Sequence, residues 1–175
     1  MHTQQTGIES PAFEEVLRTH AGLISRIALS HEADPGYRED LTQEIVVAIW
    51  RALPSFRGES SLRTFVASVA QKRAITHVSQ HARQPKSAGE VDMELAADTP
   101  LPDEMAIASD KRQRLLTALQ SLSLPQREVA TLMLEGFSYD EIAESLGVTA
   151  NAAMLRCQRA KAALTAMMTG AAGGS

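Results

Sequence analysis

Three cations stand in the last helical pattern of the sequence: Arg156, Arg159 and Lys161 in "VTANAAMLRCQRAKAAL". Arginine can bridge the edge of a guanine with two parallel donors, whereas lysine offers a point charge suited to phosphate. Asn151, Met154 and Leu155 belong to the outer surface of the same pattern, and the last two can read a base only by apolar contact, such as with a thymine methyl. Ala153, Cys157 and Leu164 fall on the inner face by the same spacing. Upstream, "SYDEIAESLGV" predicts a short helix opened by a capping box at Ser138 and Glu141 and closed by a turn at Leu146-Gly147-Val148. The whole stretch has the form of a helix-turn-helix. The overall charge argues the other way: 21 Asp+Glu against 17 Lys+Arg leave a formal net charge of -4, poorly suited to holding a polyanion.

Other candidate groups lie further upstream. Asp40, Gln43 and Glu44 occur at helical spacing on one polar flank, where carboxylates and an amide can make charge-assisted hydrogen bonds to a basic partner. His77 and His81 are four apart and could both reach a zinc ion, but no third ligand accompanies them; they are expected as surface histidines, with no metal bound. Cys157 is the single cysteine, which excludes an intramolecular disulfide and suits a buried structural thiol in a reducing compartment. Trp50, the single tryptophan, is expected in the core, the alternative being that part of its ring faces a protein partner. Paired catalytic carboxylates, a nucleophile triad and a phosphate-binding glycine loop are all missing, so neither an enzyme nor a cofactor is expected. No apolar run reaches membrane-spanning length, and "MHTQQTGIESPAFEE" lacks a signal peptide's basic and apolar regions. A cytoplasmic chain without membrane insertion is expected.

The scaffold for these groups is all-α. Phe13, Val16, Leu17, His20, Leu23, Ile24 and Ile27 recur as one stripe of a helix. A second pattern runs from about residue 38 to 53 and is closed by Pro54, and a third runs from about 61 to 82. Between them "PSFRGES" supplies Pro and Gly breakers and a serine cap. Residues 84–110 hold Lys86 against seven acidic side chains and three prolines, which predicts an acidic flexible linker. Helical patterning returns with Leu115, Leu116, Leu119 and Leu122, breaks at Leu124-Pro125, resumes through Val129, Leu132 and Met133, and stops at Gly136. The expected organisation is a three-helix unit at 10–83, the linker at 84–110, a helix-turn-helix unit at 111–168, and a flexible tail at 169–175.

Two blocks carry a family resemblance: "REDLTQEIVVAIWRALPSFRGESSLRTF" and "ALQSLSLPQREVATLMLEGFSYDEIAESLGV". They resemble the sigma-2 and sigma-4 domains of extracytoplasmic-function (ECF) sigma factors of the sigma-70 superfamily, the small alternative initiation subunits of bacterial RNA polymerase. With the flanking helices the resemblance covers roughly residues 10 to 168. It implies a chain that binds core RNA polymerase and directs initiation at promoters by recognising their -10 and -35 elements. The acidic charge then ceases to be an obstacle, since the large subunits of a holoenzyme supply most of the DNA affinity and the free chain need bind DNA only poorly. A linker of 27 residues reaches at most roughly 90 Å, while elements about 17 base pairs apart lie roughly 58 Å from one another. Two readers on that tether can engage both, their joint affinity arising from linkage.

The resemblance implies roles residue by residue. Asp40, Gln43 and Glu44 would grip the clamp helices of the largest polymerase subunit. Arg57, Gly58, Glu59, Ser60, Ser61 and Arg63 would capture an unstacked base of the -10 element, with Lys72 and Arg73 joining Arg63 on the nontemplate backbone. Asn151, Met154, Leu155, Arg156, Arg159 and Lys161 would read the -35 element. It also implies an anti-sigma factor as partner; a monomer when free is expected because the sequence offers no extended heptad repeat. The sequence departs from the family pattern at Phe65, where a Trp is common, at Gln71-Lys72 and Thr76 in "QKRAITH", and at Ala152-Ala153. Two alternatives follow from the departures and from the helix pair alone: a sigma-like decoy or partner-switching regulator that no longer reads promoters, and an ordinary helix-turn-helix repressor.

Overall fold

The computed structural model describes residues 11–82 and 103–170, and within them every element is helical. The first unit comprises α1 (Phe13–His31), α2 (Pro35–Ala52), a single 3-10 turn (Leu53–Ser55) and α3 (Leu62–His81). Its boundaries follow local chemistry. The Asp34 carboxylate caps α2 by accepting from the amides of Gly36 and Tyr37, with Pro35 at the first helical position. Pro54 then tightens the exit of α2 into the 3-10 turn. Ser61, one residue past the breaker segment, caps α3 by accepting from the Thr64 amide at 3.1 Å. Val16, Leu23, Ile24 and Ile27 of α1 bury against Leu41, Ile45 and Ile49 of α2. On α3 the buried positions Ala67, Ala70 and Ala74 are small, which lets both other helices pack close to its backbone.

The second unit comprises α4 (Asp103–Ser121), α5 (Leu124–Leu134), α6 (Tyr139–Leu146) and α7 (Ala150–Gly170). Most of the expected acidic linker lies outside the described residues, but its last part does not: residues 103–110 are the first two turns of α4, and residues 104–113 are exposed throughout. A helix with no packed face there explains why apolar periodicity could not reveal it. Leu119, Leu122, Val129, Leu132, Ile142, Ala153, Cys157 and Ala160 form the centre of this unit. The capping box is formed, with the Glu141 carboxylate accepting from the Ser138 amide at 2.7 Å. Gly147 closes α6 at φ +66°, a left-handed conformation that a Cβ would strain. Replacing Ser138 by Ala should therefore cost about 1 kcal/mol of stability in chemical denaturation; an unchanged midpoint would mean that tertiary packing alone holds α6.

The two units do not stand apart. α3 packs along α6, and α1 touches α4 and α5, so buried side chains of both units belong to one continuous cluster. Polar groups cross the seam as well. The Gln71 amide donates to the Glu128 carbonyl at 3.3 Å, and the Gln120 amide donates to the Leu29 carbonyl at 3.0 Å. The expected picture of two units joined by a tether omitted this seam, because these contacts are side chain to backbone across 57 and 91 residues and leave no periodic trace.

Candidate functional site

Burial of Leu41, Ile45 and Ile49 fixes the rotation of α2 and thereby turns Asp40, Gln43, Val47 and Trp50 outward. Asp40, Gln43, Glu44, Val47, Ala48, Arg51, Arg73 and His81 line an open cleft of about 510 Å³. Trp50 is 60% exposed, not in the core: it follows Ile49 by one residue and so points about a quarter-turn away from the buried face. Glu44 differs from its two companions. It leans on α3, where Oε2 accepts from Arg73 Nε at 2.9 Å and lies 3.3 Å from His77 Nδ1. Burial pushes the Glu44 carboxyl up, but the hydrogen bonds and positive charge of Arg73 and His77 outweigh it and hold the group below its usual range.

His77 is fully buried, contrary to its expected place on the surface. Its ring lies between Glu44 and Glu32, whose Oε2 is 3.6 Å from Nε2, and it stacks on His81 with ring centroids 4.0 Å apart. His81 is half-buried and also meets the Tyr37 ring at 4.7 Å. The pair therefore fastens α2 to α3. Among the described residues no group of three His, Cys, Asp or Glu is placed to hold a metal ion.

The segment between the 3-10 turn and α3 makes a second feature. Gly58 adopts φ +72°, and the chain around it encloses an open recess of about 290 Å³ lined by Ser55, Phe56, Arg57, Glu59, Ser60 and Phe65. The Phe56 and Phe65 rings meet at 5.0 Å and close its apolar side. Arg57, Gly58, Glu59 and Ser61 are exposed, Ser60 is half-buried, and Lys72 points to solvent from α3. Two expected cations are not free. Arg73 is paired with Glu44, and Arg63 donates to the Glu135 carbonyl while its guanidinium sits 3.9 Å over the Phe137 ring.

On α7 the Thr149 hydroxyl caps the helix by accepting from the Ala152 amide at 3.1 Å. Ala153, Cys157 and Ala160 are buried and Leu164 packs against the cluster, so Asn151, Leu155, Arg159 and Lys161 are left exposed on the remaining surface. Burial raises the Cys157 thiol above its usual value, as expected of a structural thiol. Met154 and Arg156 are half-buried. Arg156 stands near Glu128, whose carboxyl is pushed up by burial and partly drawn back by that guanidinium. Arg159 and Lys161 are thus the cations of α7 least engaged by the chain itself.

Sequence reasoning missed Arg26 and Glu135. Arg26 Nη2 donates to Glu135 Oε2 at 2.9 Å and Nε donates to Oε1, a bidentate pair between the two units. Each reads in sequence as an ordinary polar position, Arg26 on the exposed face of an amphipathic helix and Glu135 just before a terminating glycine; only the tertiary seam gives them meaning.

Comparison with known proteins agrees with this geometry. The sigma-70 region 2 family matches residues 16–84, and the sigma-70 region 4 family matches residues 112–164. An ECF RNA polymerase sigma factor, SigK, from Mycobacterium sp. (strain KMS) is 31% identical over 140 residues, spanning 77% of this chain and 68% of its own length. The RNA polymerase sigma factor NccH of Alcaligenes xylosoxydans xylosoxydans is 27% identical over 161 residues, spanning 90% of this chain and 87% of its own. Among solved structures, the fold is shared with RpoE of Bartonella quintana in its complex with the anti-sigma factor NepR (TM-score 0.67, 21% identity, 90% of this chain and 96% of that one). It is shared too with CnrH in complex with the cytosolic domain of CnrY (TM-score 0.65, 22% identity, 90% and 88%). Two family matches in order on two packed helical units, with a SigK relative across most of both, place this chain in the family of ECF RNA polymerase sigma factors.

Proposed function

We propose that this sigma factor docks on core RNA polymerase through the outer face of α2, with Asp40 and Gln43 as its polar contacts and Val47 and Trp50 as an apolar extension. The observation that carries this reading is the exposure of Trp50 in line with Gln43 and Val47: a large aromatic left in water suits the desolvated centre of an interface. Glu44 supports the face from behind, through Arg73 and His77. The recess under Phe56 and Phe65 receives an unpaired base of the -10 element, since a base removed from the duplex recovers its unstacking cost only by stacking and hydrogen bonding elsewhere. Arg57, Gly58, Glu59, Ser60 and Ser61 border that base, and Lys72 holds the neighbouring backbone.

The exposed side of α7 reads the -35 element, with Asn151, Leu155 and Arg159 toward the bases, Lys161 on phosphate, and Met154 and Arg156 at the margin. An anti-sigma factor is the partner of the inactive state, by likeness to the two solved complexes, and the chain acts in the cytoplasm as a specificity subunit without a reaction of its own. Substitution in the assembled holoenzyme tests the -35 assignment. Lys161→Ala should weaken binding similarly on all promoter variants and lower the salt slope by about one, whereas Arg159→Ala should cost about 1 to 3 kcal/mol and relax one base position. Equal binding by both variants and wild type on every upstream sequence would remove α7 from the reader.

A further inference from the structure

Burial fixes the rotation of α7. Ala153, Cys157 and Ala160 have no exposed surface and Leu164 packs beside them, so their stripe faces the core. At about 100° per residue, the direction opposite that stripe belongs to Asn151, Leu155, Gln158 and Ala162, which fall within about 60° of one another. All four are exposed. Arg159 and Lys161 stand on the two flanks of this ridge, from which long side chains reach inward or to phosphate. Neither Asn151 nor Gln158 has a hydrogen-bond partner among the described residues, and each amide carries a donor beside an acceptor. Between them Leu155, 41% exposed, interposes an apolar surface. From Asn151 to Gln158 the helix rises about 10 Å, the length of about three base-pair steps.

We propose that Gln158, more than the cations of α7, is the side chain placed centrally over the -35 bases, and that it specifies an adenine. The proposal rests on the reading of α7 as the -35 reader. A glutamine amide donates to N7 and accepts from N6 of adenine, the one base whose own major-groove edge sets an acceptor beside a donor. Guanine presents two acceptors there, which would leave the glutamine carbonyl facing another oxygen; arginine matches that edge instead. Leu155, a turn earlier, lies against the C5-methyl of a thymine. Asn151 repeats the adenine contact at the N-terminal end of the helix, where recognition helices approach the bases. Ala162 ends the ridge with a methyl group too short to reach a base edge. The ridge therefore favours A·T pairs, with guanine entering where Arg159 reaches in from the flank.

The test uses holoenzyme assembled from core polymerase and the full chain, with binding measured on a promoter set in which each upstream base pair is varied in turn. Wild type should prefer adenine over guanine at one position by about tenfold. Gln158→Ala should level that position and leave the other preferences standing, and Gln158→Arg should turn the preference toward guanine. Replacing that adenine by 7-deazaadenine, which lacks the N7 acceptor, should cost wild type about fivefold and Gln158→Ala nothing. Because the side chain is exposed and unpartnered among the described residues, the thermal midpoints of both variants should match wild type. Equal loss on every promoter in Gln158→Ala, an unaltered preference in Gln158→Arg, or equal sensitivity of wild type and Gln158→Ala to 7-deazaadenine would overturn the assignment. If that happens while Arg159→Ala still relaxes one position, α7 remains the reader without Gln158. A wild-type holoenzyme indifferent to every upstream base pair would remove both.

Discussion

Lysine at both position 40 and position 43 should lower the affinity for core polymerase by about a hundredfold or more while leaving the thermal midpoint nearly unchanged. Both side chains are exposed and have no hydrogen-bond or ion-pair partner among the described residues, so their loss removes nothing from the core. The basic clamp implied by the family resemblance would then meet like charge, a juxtaposition that costs several kcal/mol. Glu44 belongs outside that test. Its carboxylate is bonded to Arg73 and lies against the buried His77, so Glu44→Lys would bring three basic groups together and should destabilise the first unit by about 2 kcal/mol, discounted for the partial exposure of the pair. Competition for core polymerase alongside a denaturation curve separates the two effects. Unimpaired competition by the Asp40→Lys, Gln43→Lys protein would take the interface off α2.

Acid should weaken the fold well before most carboxylates protonate, and His31 is the cause. Burial lowers its pKa from 6.5 to about 4; a bond to the Ile27 carbonyl at 3.0 Å opposes the shift and the charge of Arg127 reinforces it. Nε2 is buried without a partner among the described residues, so a proton there would be desolvated and uncompensated. Between pH 6.5 and about 4 the unfolded chain binds a proton that the folded chain refuses. Stability is therefore full above 6.5 and falls as pH drops through that window, by about 1.4 kcal/mol per pH unit and about 3 kcal/mol in all. Glu44 adds to the loss at still lower pH: its carboxyl is held below its unfolded value, so its contribution disappears as pH falls below about 4.5. Urea denaturation across pH 4 to 7 should show this slope in the wild type and a flatter one in His31→Leu, whatever that variant's absolute stability. Identical slopes would assign the acid sensitivity elsewhere.

How much of this was legible in sequence depended on whether a feature is local. The capping box at Ser138 and Glu141, the left-handed Gly147 and the inward face of Ala153 and Cys157 are set by neighbours within four residues, and the structure has each as the pattern predicts. Trp50 and His77 went astray for opposite reasons. Residue type argued that the tryptophan is buried and the histidine exposed, while helical phase placed Trp50 beside the core position Ile49 and His77 three residues past Ala74 on the buried face of α3. Phase was the better guide at both positions. Residues 103–110 hid their helix behind a composition suited to a linker. The seam formed by Arg26, Arg63, Gln71, Glu128 and Glu135 could not be read at all, because no local rule links positions 57 to 109 residues apart.

The most direct measurement is promoter-dependent transcription reconstituted from purified core polymerase and this chain. Core alone should give no specific transcript. Addition of the wild-type chain should produce transcripts with a single start downstream of paired -10 and -35 elements, lost when either element is scrambled and lost with the Asp40→Lys, Gln43→Lys protein. A chain that binds core polymerase yet starts no promoter-specific transcript on any genomic fragment of its host would contradict the account and mark a sigma-like decoy.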